Sequence, residues 1–126
     1  MSKRIEKGQM ELNPIAKEWV AALRSGEYKQ IRGTLHNNDG YCCLGVLCDL
    51  AVKHGVEINV SVEKDGRHYY GLNANYLNSV IAKWAGIDVS CDPSNPAGLA
   101  TMNDSGYSFT DIADYIETNP CKIFGE

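Results

Sequence analysis

Two adjacent cysteines lie where a polar turn meets an apolar segment. Cys42 and Cys43 follow Asn-Asn-Asp-Gly-Tyr (37–41) and precede a run rich in Leu and Val. A thiol in the first turn of a helix lies near unpaired backbone N–H groups and the positive end of the helix dipole. Both effects lower its pKa and favour the nucleophilic thiolate. The pattern therefore predicts a candidate nucleophile at Cys42 or Cys43.

A cysteine nucleophile needs a histidine base and a group that orients the base. His36 and His68 are the candidate bases, and Asn103 or Asp104 is the candidate orienting group. The alternatives stay open. Adjacent cysteines are also common as small core residues, and His36, among Asn and Asp residues, is also typical of a solvated turn.

The cysteine count indicates the redox state and the metal chemistry of the chain. Five cysteines, Cys42, Cys43, Cys48, Cys91 and Cys121, form an odd set, and the sequence carries no export signal. Reduced thiols are therefore expected rather than a disulfide framework. The spacing contains no pair of the Cys-x-x-Cys type, so neither a metal site nor a cofactor is predicted.

A second kind of chemistry is ligand capture. Arg-His-Tyr-Tyr (67–70) combines a cation, an imidazole and two phenols, and such side chains stack on bases and pair with phosphate. Asn-Asp-Ser-Gly (103–106) offers polar side chains just before a capped helix. The alternatives are a half-buried strand and a simple Asx turn. If these segments converge with the cysteine turn, the pocket would be lined by Tyr41, Cys43, Arg67, His68, Tyr70, Asn103, Asp104 and Ser105.

Composition limits the classes of partner. The 126 residues are 44% hydrophobic and carry 12 Lys and Arg against 16 Asp and Glu, a net charge of -4. A strong nucleic-acid signal is therefore missing, and no apolar run reaches the roughly 20 residues of a membrane span. A cytoplasmic protein is expected, with residues 1–12 as a flexible arm and residues 13–126 as one domain.

The periodicity predicts the elements that position these residues. We expect helices from an Asn13 cap to Gly26, over 43–54, over 75–85 and after a Ser108 cap, strands over 28–35, 41–43, 56–62 and 67–72, and a loop over 87–98. This is an α+β domain with about four helices packed on a small, mainly antiparallel sheet. Gly45, inside an apolar helix, indicates a close approach of another backbone or of a ligand.

Several short motifs extend over most of the chain. They are Trp-Val-Ala-Ala-Leu-Arg-Ser-Gly (19–26), Gly-Thr-Leu (33–35), Gly-Tyr-Cys-Cys-Leu-Gly-Val-Leu-Cys-Asp (40–49), Trp-Ala-Gly (84–86), Leu-Ala-Thr-Met-Asn-Asp-Ser-Gly (99–106) and Ile-Ala-Asp (112–114) after Phe109. Together, from about Asn13 to Glu117, they resemble a group of small uncharacterised proteins encoded by bacteriophages and prophages. The resemblance implies a phage accessory protein in the cytoplasm of an infected bacterium. It transfers no activity to individual residues.

Three functions are compatible with these features. The favoured hypothesis is a binding protein that captures a small polar ligand, such as a nucleotide-derived host signal, and so modulates or sequesters that signal. The alternatives are a cysteine-dependent hydrolase or transferase built on Cys42 or Cys43, His68 and Asn103, and a protein-binding inhibitor of a host enzyme. Homo-oligomerisation stays open, because a site shared between subunits leaves no mark in one sequence.

Overall fold

The computed structural model describes residues 12–71, 74, 77–87, 97–119 and 123–124. Within these ranges the chain forms five helices and two antiparallel sheets of two strands each. In chain order they are α1 (Pro14–Arg24), β1 (His36–Asn37), β2 (Gly40–Tyr41), α2 (Cys43–Lys53), β3 (Val60–Val62), β4 (His68–Tyr70), α3 (Ser79–Ala85), α4 (Ala97–Asp104) and α5 (Phe109–Thr118). The predicted α+β class is confirmed. No described helix is long and apolar enough to span a membrane.

Helix α2 lies at the centre of the core. Every residue from Cys43 to Cys48 is buried, and α1, α3 and α4 all contact this helix. The indole N–H of Trp19, on α1, donates to the Cys43 carbonyl oxygen at 3.0 Å, and Trp19 is itself fully buried. The sequence pattern predicted this outcome, because a helix that is apolar on all sides is a buried one.

Helices α1 and α5 begin directly after the capping residues that were predicted from the sequence. The Asn13 side chain accepts a hydrogen bond from the Ala16 N–H at 2.8 Å, and its amide donates to the Ala85 carbonyl at 3.0 Å. At α5, Ser108 and Asp111 form a reciprocal capping box. Both predicted starts are confirmed, and Asn13 in addition ties α1 to the end of α3.

Helix α4 and the start of α3 differ from the sequence-based expectation. Residues 97–98 of the predicted loop, and Asn103 and Asp104 of the predicted polar segment over 103–106, belong to the helix Ala97–Asp104, and the turn follows at 105–106. Residues 88–96 of the predicted loop lie outside the described residues. The helix forms because Leu99 and Asn103, four residues apart, share one buried face. Helix α3 begins at Ser79, behind an Asn78 cap, whereas the prediction began at 75, which lies outside the described residues.

The strands are shorter than predicted. Of residues 28–35, only Gln30 forms a bridge, with Tyr41. The other backbone bonds of this segment, such as that from the Leu35 N–H to the Ala74 carbonyl at 2.8 Å, form no continuous ladder. The hairpin around residues 64–66 is confirmed, but the alternating valines of β3 are not buried. Val60 and Val62 are 41% and 56% exposed.

Gly45 allows α2 to contact the backbone before β1. A Cβ atom at position 45 would lie 1.7 Å from the Leu35 carbonyl oxygen, which no relaxation of a side chain could relieve. The same oxygen accepts the Cys42 N–H at 2.9 Å. The close approach predicted from the sequence is therefore a contact with backbone, and it fixes the entry of the chain into α2.

We expect Gly45→Ala to lower the free energy of unfolding by at least about 2 kcal/mol, because the added methyl overpacks against a carbonyl held by a hydrogen bond. Urea denaturation measures the change. The control is Val52→Ala on the exposed side of the same helix, for which we expect a change within about 0.5 kcal/mol. Equal effects of the two substitutions would contradict the contact.

Candidate functional site

The structure divides the predicted site residues into two groups. Cys42, Cys43 and Asn103 meet in the core at the start of α2, with Asp104 and Ser105 next to them in the chain. His68, Tyr41 and Tyr70 lie instead around a cluster of rings that also contains His36. No described contact joins His68 to Cys43 or Asn103, so the single convergent pocket is replaced by two separate arrangements.

Asn103 is a fully buried connector. Its Oδ1 accepts the Cys43 N–H at 3.2 Å and the Gln30 side-chain amide at 2.8 Å, and its own amide donates to the Ile31 carbonyl at 2.6 Å. It is 0% exposed. The convergence of this residue with the cysteine turn is therefore real, but the hydrogen bonds hold the backbone together and do not orient a base.

The two thiols are held in apolar or backbone surroundings. Cys42 is the N-cap of α2, and its Sγ accepts the Gly45 N–H at 3.4 Å, while the Cys43 thiol donates to the Leu99 carbonyl at 3.5 Å. Burial raises the pKa of Cys42 to about 11 and that of Cys43 well above its usual value. The lowered pKa expected from the helix dipole is therefore wrong, because the cost of desolvating a thiolate exceeds the stabilisation from the helix end.

Asp104, next to Asn103, also joins α4 to the segment over residues 30–33. Asp104 accepts the Gly33 N–H at 3.0 Å through its Oδ1, and Ser105 lies exposed in the turn after α4. These contacts fix the 30–33 segment against α4. They do not surround an open pocket in the described part of the chain.

Four rings form the second arrangement, which we call the ring column: Tyr28, Tyr41, His36 and His68. His36 lies parallel to Tyr41, with ring centroids 3.7 Å apart, and against His68 at 3.8 Å. Tyr28 meets Tyr41 edge-on at 4.9 Å. All four residues are half-buried, so the column borders solvent while its rings support one another.

Backbone carbonyls fix the tautomers of both histidines in the ring column. His36 Nδ1 lies 2.8 Å from the Gly40 oxygen, and His68 Nδ1 lies 3.2 Å from the Gly66 oxygen. A carbonyl can only accept, so each Nδ1 carries the hydrogen, and in the neutral ring each Nε2 is an acceptor. Neither Nε2 has a hydrogen-bond partner among the described residues.

Charged side chains flank the tyrosine end of the ring column. The Tyr28 hydroxyl donates to Asp49 at 2.5 Å, and the Lys53 ammonium lies 3.1 Å from the same carboxylate. Burial, followed by the bond to Asp49, raises the pKa of Tyr28, and burial also raises that of Tyr41. Both phenols are therefore held as neutral hydroxyls.

Arg67 and Tyr70, both predicted to line a ligand pocket with His68, lie outside the ring column. Arg67 pairs with Asp65 at 2.9 Å and lies over the Tyr69 ring, 6.0 Å from its centroid. Successive strand residues point to opposite faces, so this arginine is separated from the face of His68. Tyr70 shares the His68 face, but it is only 3% exposed and belongs to the core.

His36 was predicted as a solvated turn residue and is instead the centre of the ring column. The signal was present, because a two-residue turn at Asn38 and Asp39 places His36 directly opposite Tyr41. What the sequence does not reveal is that β4 also packs here and brings His68 onto the other face. Tyr28, Asp49 and Lys53 were not selected at all.

Two further features carry no comparable chemistry. An open groove of about 540 Å³ is lined by residues 55–59, which contribute one carboxylate and no imidazole or thiol. Among the described residues, no group of three or more His, Cys, Asp and Glu side chains could hold a metal ion. Cys91 and Cys121 lie outside the described residues.

Comparison with known proteins gives one result. A family model described as a domain of unknown function, DUF8296, matches residues 11–120. No curated protein and no solved structure matches the chain. The matched segment contains both the Asn103 connection and the ring column.

We expect Asn103→Ala to lower the free energy of unfolding by about 3 kcal/mol, because it leaves the buried Cys43 N–H and Ile31 carbonyl without partners. Urea denaturation followed by circular dichroism measures this loss. Asp104→Ala, at the next position, removes one exposed hydrogen bond and should cost less than about 1 kcal/mol. A larger loss for Asp104→Ala than for Asn103→Ala would contradict the role assigned to Asn103.

We expect stability to fall as the pH is lowered from 7 through 6.5, with His36 as one cause. Burial, and secondarily the nearby His68, lowers the pKa of His36 from its usual 6.5. Between the folded and unfolded pKa values the unfolded chain binds more protons, so the free energy of unfolding decreases as pH falls. His36→Gln should flatten this part of the curve, measured by urea denaturation between about pH 5 and 7.5. Identical slopes would contradict the assignment.

Proposed function

The chain belongs to the DUF8296 family, whose description assigns no activity, and from the geometry of its site we propose that it binds a small planar polar ligand of the nucleobase type without converting it. The ligand would lie against His68, the outer ring of the ring column. The observation that carries the proposal is the half-buried contact between His36 and His68, with ring centroids 3.8 Å apart, in which both Nε2 atoms are unpaired among the described residues.

The ring column supplies the two interactions that a nucleobase requires. A planar ring stacking on His68 contributes about 1–3 kcal/mol, and this term is available to any base. An Nε2 acceptor then selects a ligand with an exocyclic amine or ring N–H at its edge. Because Nδ1 of each histidine is already bonded to a carbonyl, the acceptor is prepared before the ligand arrives.

Val62 provides an apolar flank for such a ligand. It is the cross-strand partner of His68, and its side chain shares that face of the hairpin while remaining 56% exposed. Residues directly opposite on antiparallel strands have Cβ atoms about 5 Å apart. A bound ring would therefore cover apolar surface as well as the imidazole.

Binding is favoured over cysteine catalysis by the state of the thiols. Cys42 and Cys43 are buried, their pKa values are raised, and Asn103 bonds to backbone and to Gln30. A thiolate nucleophile would have to form in the core, where the raised pKa keeps the thiol protonated. No comparable obstacle applies to the half-exposed ring column.

The resemblance to phage and prophage proteins supplies a setting for this proposal. In the cytoplasm of an infected bacterium, the ligand would be a nucleotide-derived host signal that the protein sequesters or modulates. A host protein is the alternative partner for the same setting.

The direct test is isothermal titration calorimetry of the full chain with adenosine, AMP and ribose 5-phosphate. We expect saturable binding of adenosine and AMP but not of ribose 5-phosphate, because the base makes the stacking contact. His68→Ala should weaken that binding at least about tenfold, the equivalent of one stacked base. No turnover of the nucleoside or nucleotide is expected over the titration.

The matched control is His54→Ala. His54 is an exposed histidine that, like His68, has one bonded ring nitrogen, but it pairs with Glu18 at the end of α2, outside the ring column. The His54→Ala variant should bind adenosine and AMP with the affinity of the wild type. Equal affinity of His68→Ala and wild type, or heat signals equal to buffer for every compound in the panel, would refute the proposal.

A further inference from the structure

The outer edge of β3 presents backbone groups that β4 does not use. The Gly71 N–H donates to the Asn59 carbonyl at 2.7 Å, and the Glu63 N–H donates to the Arg67 carbonyl at 2.9 Å. With the register Ser61 opposite Tyr69, these bonds show that residues 59, 61 and 63 direct their backbone groups toward β4. Val60 and Val62 therefore direct their N–H and carbonyl groups away from it.

This edge lacks the usual protection against pairing. In the part of the chain that the structure describes, the sheet has only two strands, and Val60 and Val62 are 41% and 56% exposed. Natural edges carry a proline, a bulge or a central lysine, whereas β3 is Val-Ser-Val. Two strands alone are also marginally stable in water, so an added strand would strengthen the sheet.

We propose that β3 is a dimer interface, in which a second copy of this chain pairs its own β3 antiparallel to the first. The pairing is centred on Ser61, so that Val60 of each copy lies opposite Val62 of the other. The result is a four-stranded sheet with two Val–Val cross-strand pairs on one face. This inference rests on the β3 edge and does not require the proposed ligand, and Val62 is the one residue that belongs to both surfaces.

The direction of the backbone groups of β3 and the side chains that would face each other select this register. Only even-numbered residues of β3 direct backbone groups outward, so an even residue must pair with an even residue of the second copy. Centring on Ser61 forms two Val60–Val62 pairs, with Ile58 opposite Lys64. Moving the centre to Val62 leaves one valine pair, with Val60 opposite Lys64, and moving it to Val60 places Glu57 opposite Glu63. Centring on Ser61 instead places the Asn59 amide opposite the Glu63 carboxylate, twice by symmetry.

The second copy is favoured over a different partner because the strand is self-complementary. A valine meets a valine, a serine meets itself, and the amide of Asn59 meets the carboxylate of Glu63. Apolar pairs across strands stabilise a pairing, and an amide can donate a hydrogen bond to a facing carboxylate. A foreign strand would have to reproduce this pattern, which the chain already carries.

The first experiment is sedimentation equilibrium of the full chain at concentrations up to about 100 µM, where a dimer of modest affinity is populated. We expect a monomer–dimer equilibrium for the wild type. Val62→Lys should raise the dimer dissociation constant at least about tenfold, because a charge in the middle of an edge opposes strand pairing. Val80→Lys, at an equally exposed valine on α3, should leave the equilibrium unchanged.

Val60→Pro separates the interface from the fold. The proline removes only an outward N–H, so β3–β4 pairing keeps all its bonds, and proline is tolerated at an edge. We expect this variant to lose the dimer and to keep the circular dichroism spectrum of the wild type. A folded Val60→Pro variant that still dimerises would overturn the proposal.

Ser61→Cys tests the register. Facing residues of a non-hydrogen-bonded antiparallel pair have Cα atoms about 4.5 Å apart, within the range of a disulfide. In a background with Cys91→Ser and Cys121→Ser, mild oxidation should yield a covalent dimer for Ser61→Cys and much less for Asn59→Cys. Equal cross-linking of the two variants would contradict the register.

Two outcomes of sedimentation refute the dimer itself. One is a wild-type monomer throughout the concentration range. The other is a monomer that dimerises only after residues 1–11 are deleted, since the edge would then be occupied by the N-terminal segment of its own chain. Neither outcome affects the calorimetric test of the ring column, because that test depends on His68 within one copy.

Discussion

The burial of the N-terminus of α2 is the constraint on which the rest of the structure depends. The first N–H groups of a helix have no partner within it, and water cannot reach them here. The chain supplies the partners itself: Asn103 accepts the Cys43 N–H, and the Cys42 sulfur accepts the Gly45 N–H. Because the Asn103 side chain comes from α4, a distant part of the sequence is required to complete the central helix.

That requirement determines the surroundings of the ring column. Gly45 admits the Leu35 carbonyl, which holds Cys42, and the β1–β2 hairpin must then turn between Leu35 and Cys42. The hairpin places His36 opposite Tyr41 at the surface of α2. The half-buried rings at the surface are therefore anchored to the most deeply buried part of the fold.

Much of the fold could be predicted from local signals. The Asn13 cap, the Ser108–Asp111 box and the apolar sides of α2 depend on neighbouring residues, so their physics is visible in the sequence. Helix α4 was missed because Asn103 and Asp104 favour turns when considered alone, and the bond to Cys43 that stabilises the helix joins residues 60 positions apart. The sign of the thiol pKa shifts was missed for a related reason, since burial depends on packing that no local pattern reports.

The residues selected from the sequence fall into two arrangements that the structure keeps apart. His68 and Tyr41 are in the ring column, whereas Cys43 and Asn103 are in the core. Alternation along β4 could have separated Arg67 from His68, but the close contact of His68 with His36 requires β4 to pack beside β1, which only the tertiary structure provides.

The burial of the cysteine thiols at the start of α2 and within it also determines how the protein resists oxidation. Cys42, Cys43 and Cys48 are at most 5% exposed, so peroxide and other oxidants reach them only when α2 leaves the core. Once oxidised, a sulfur that carries charge or added oxygen no longer fits the apolar interior, and the helix cannot return. In an oxidising medium, each opening of the core therefore exposes these thiols to oxidation that prevents refolding. The rate at which the core opens limits the rate at which the thiols are oxidised.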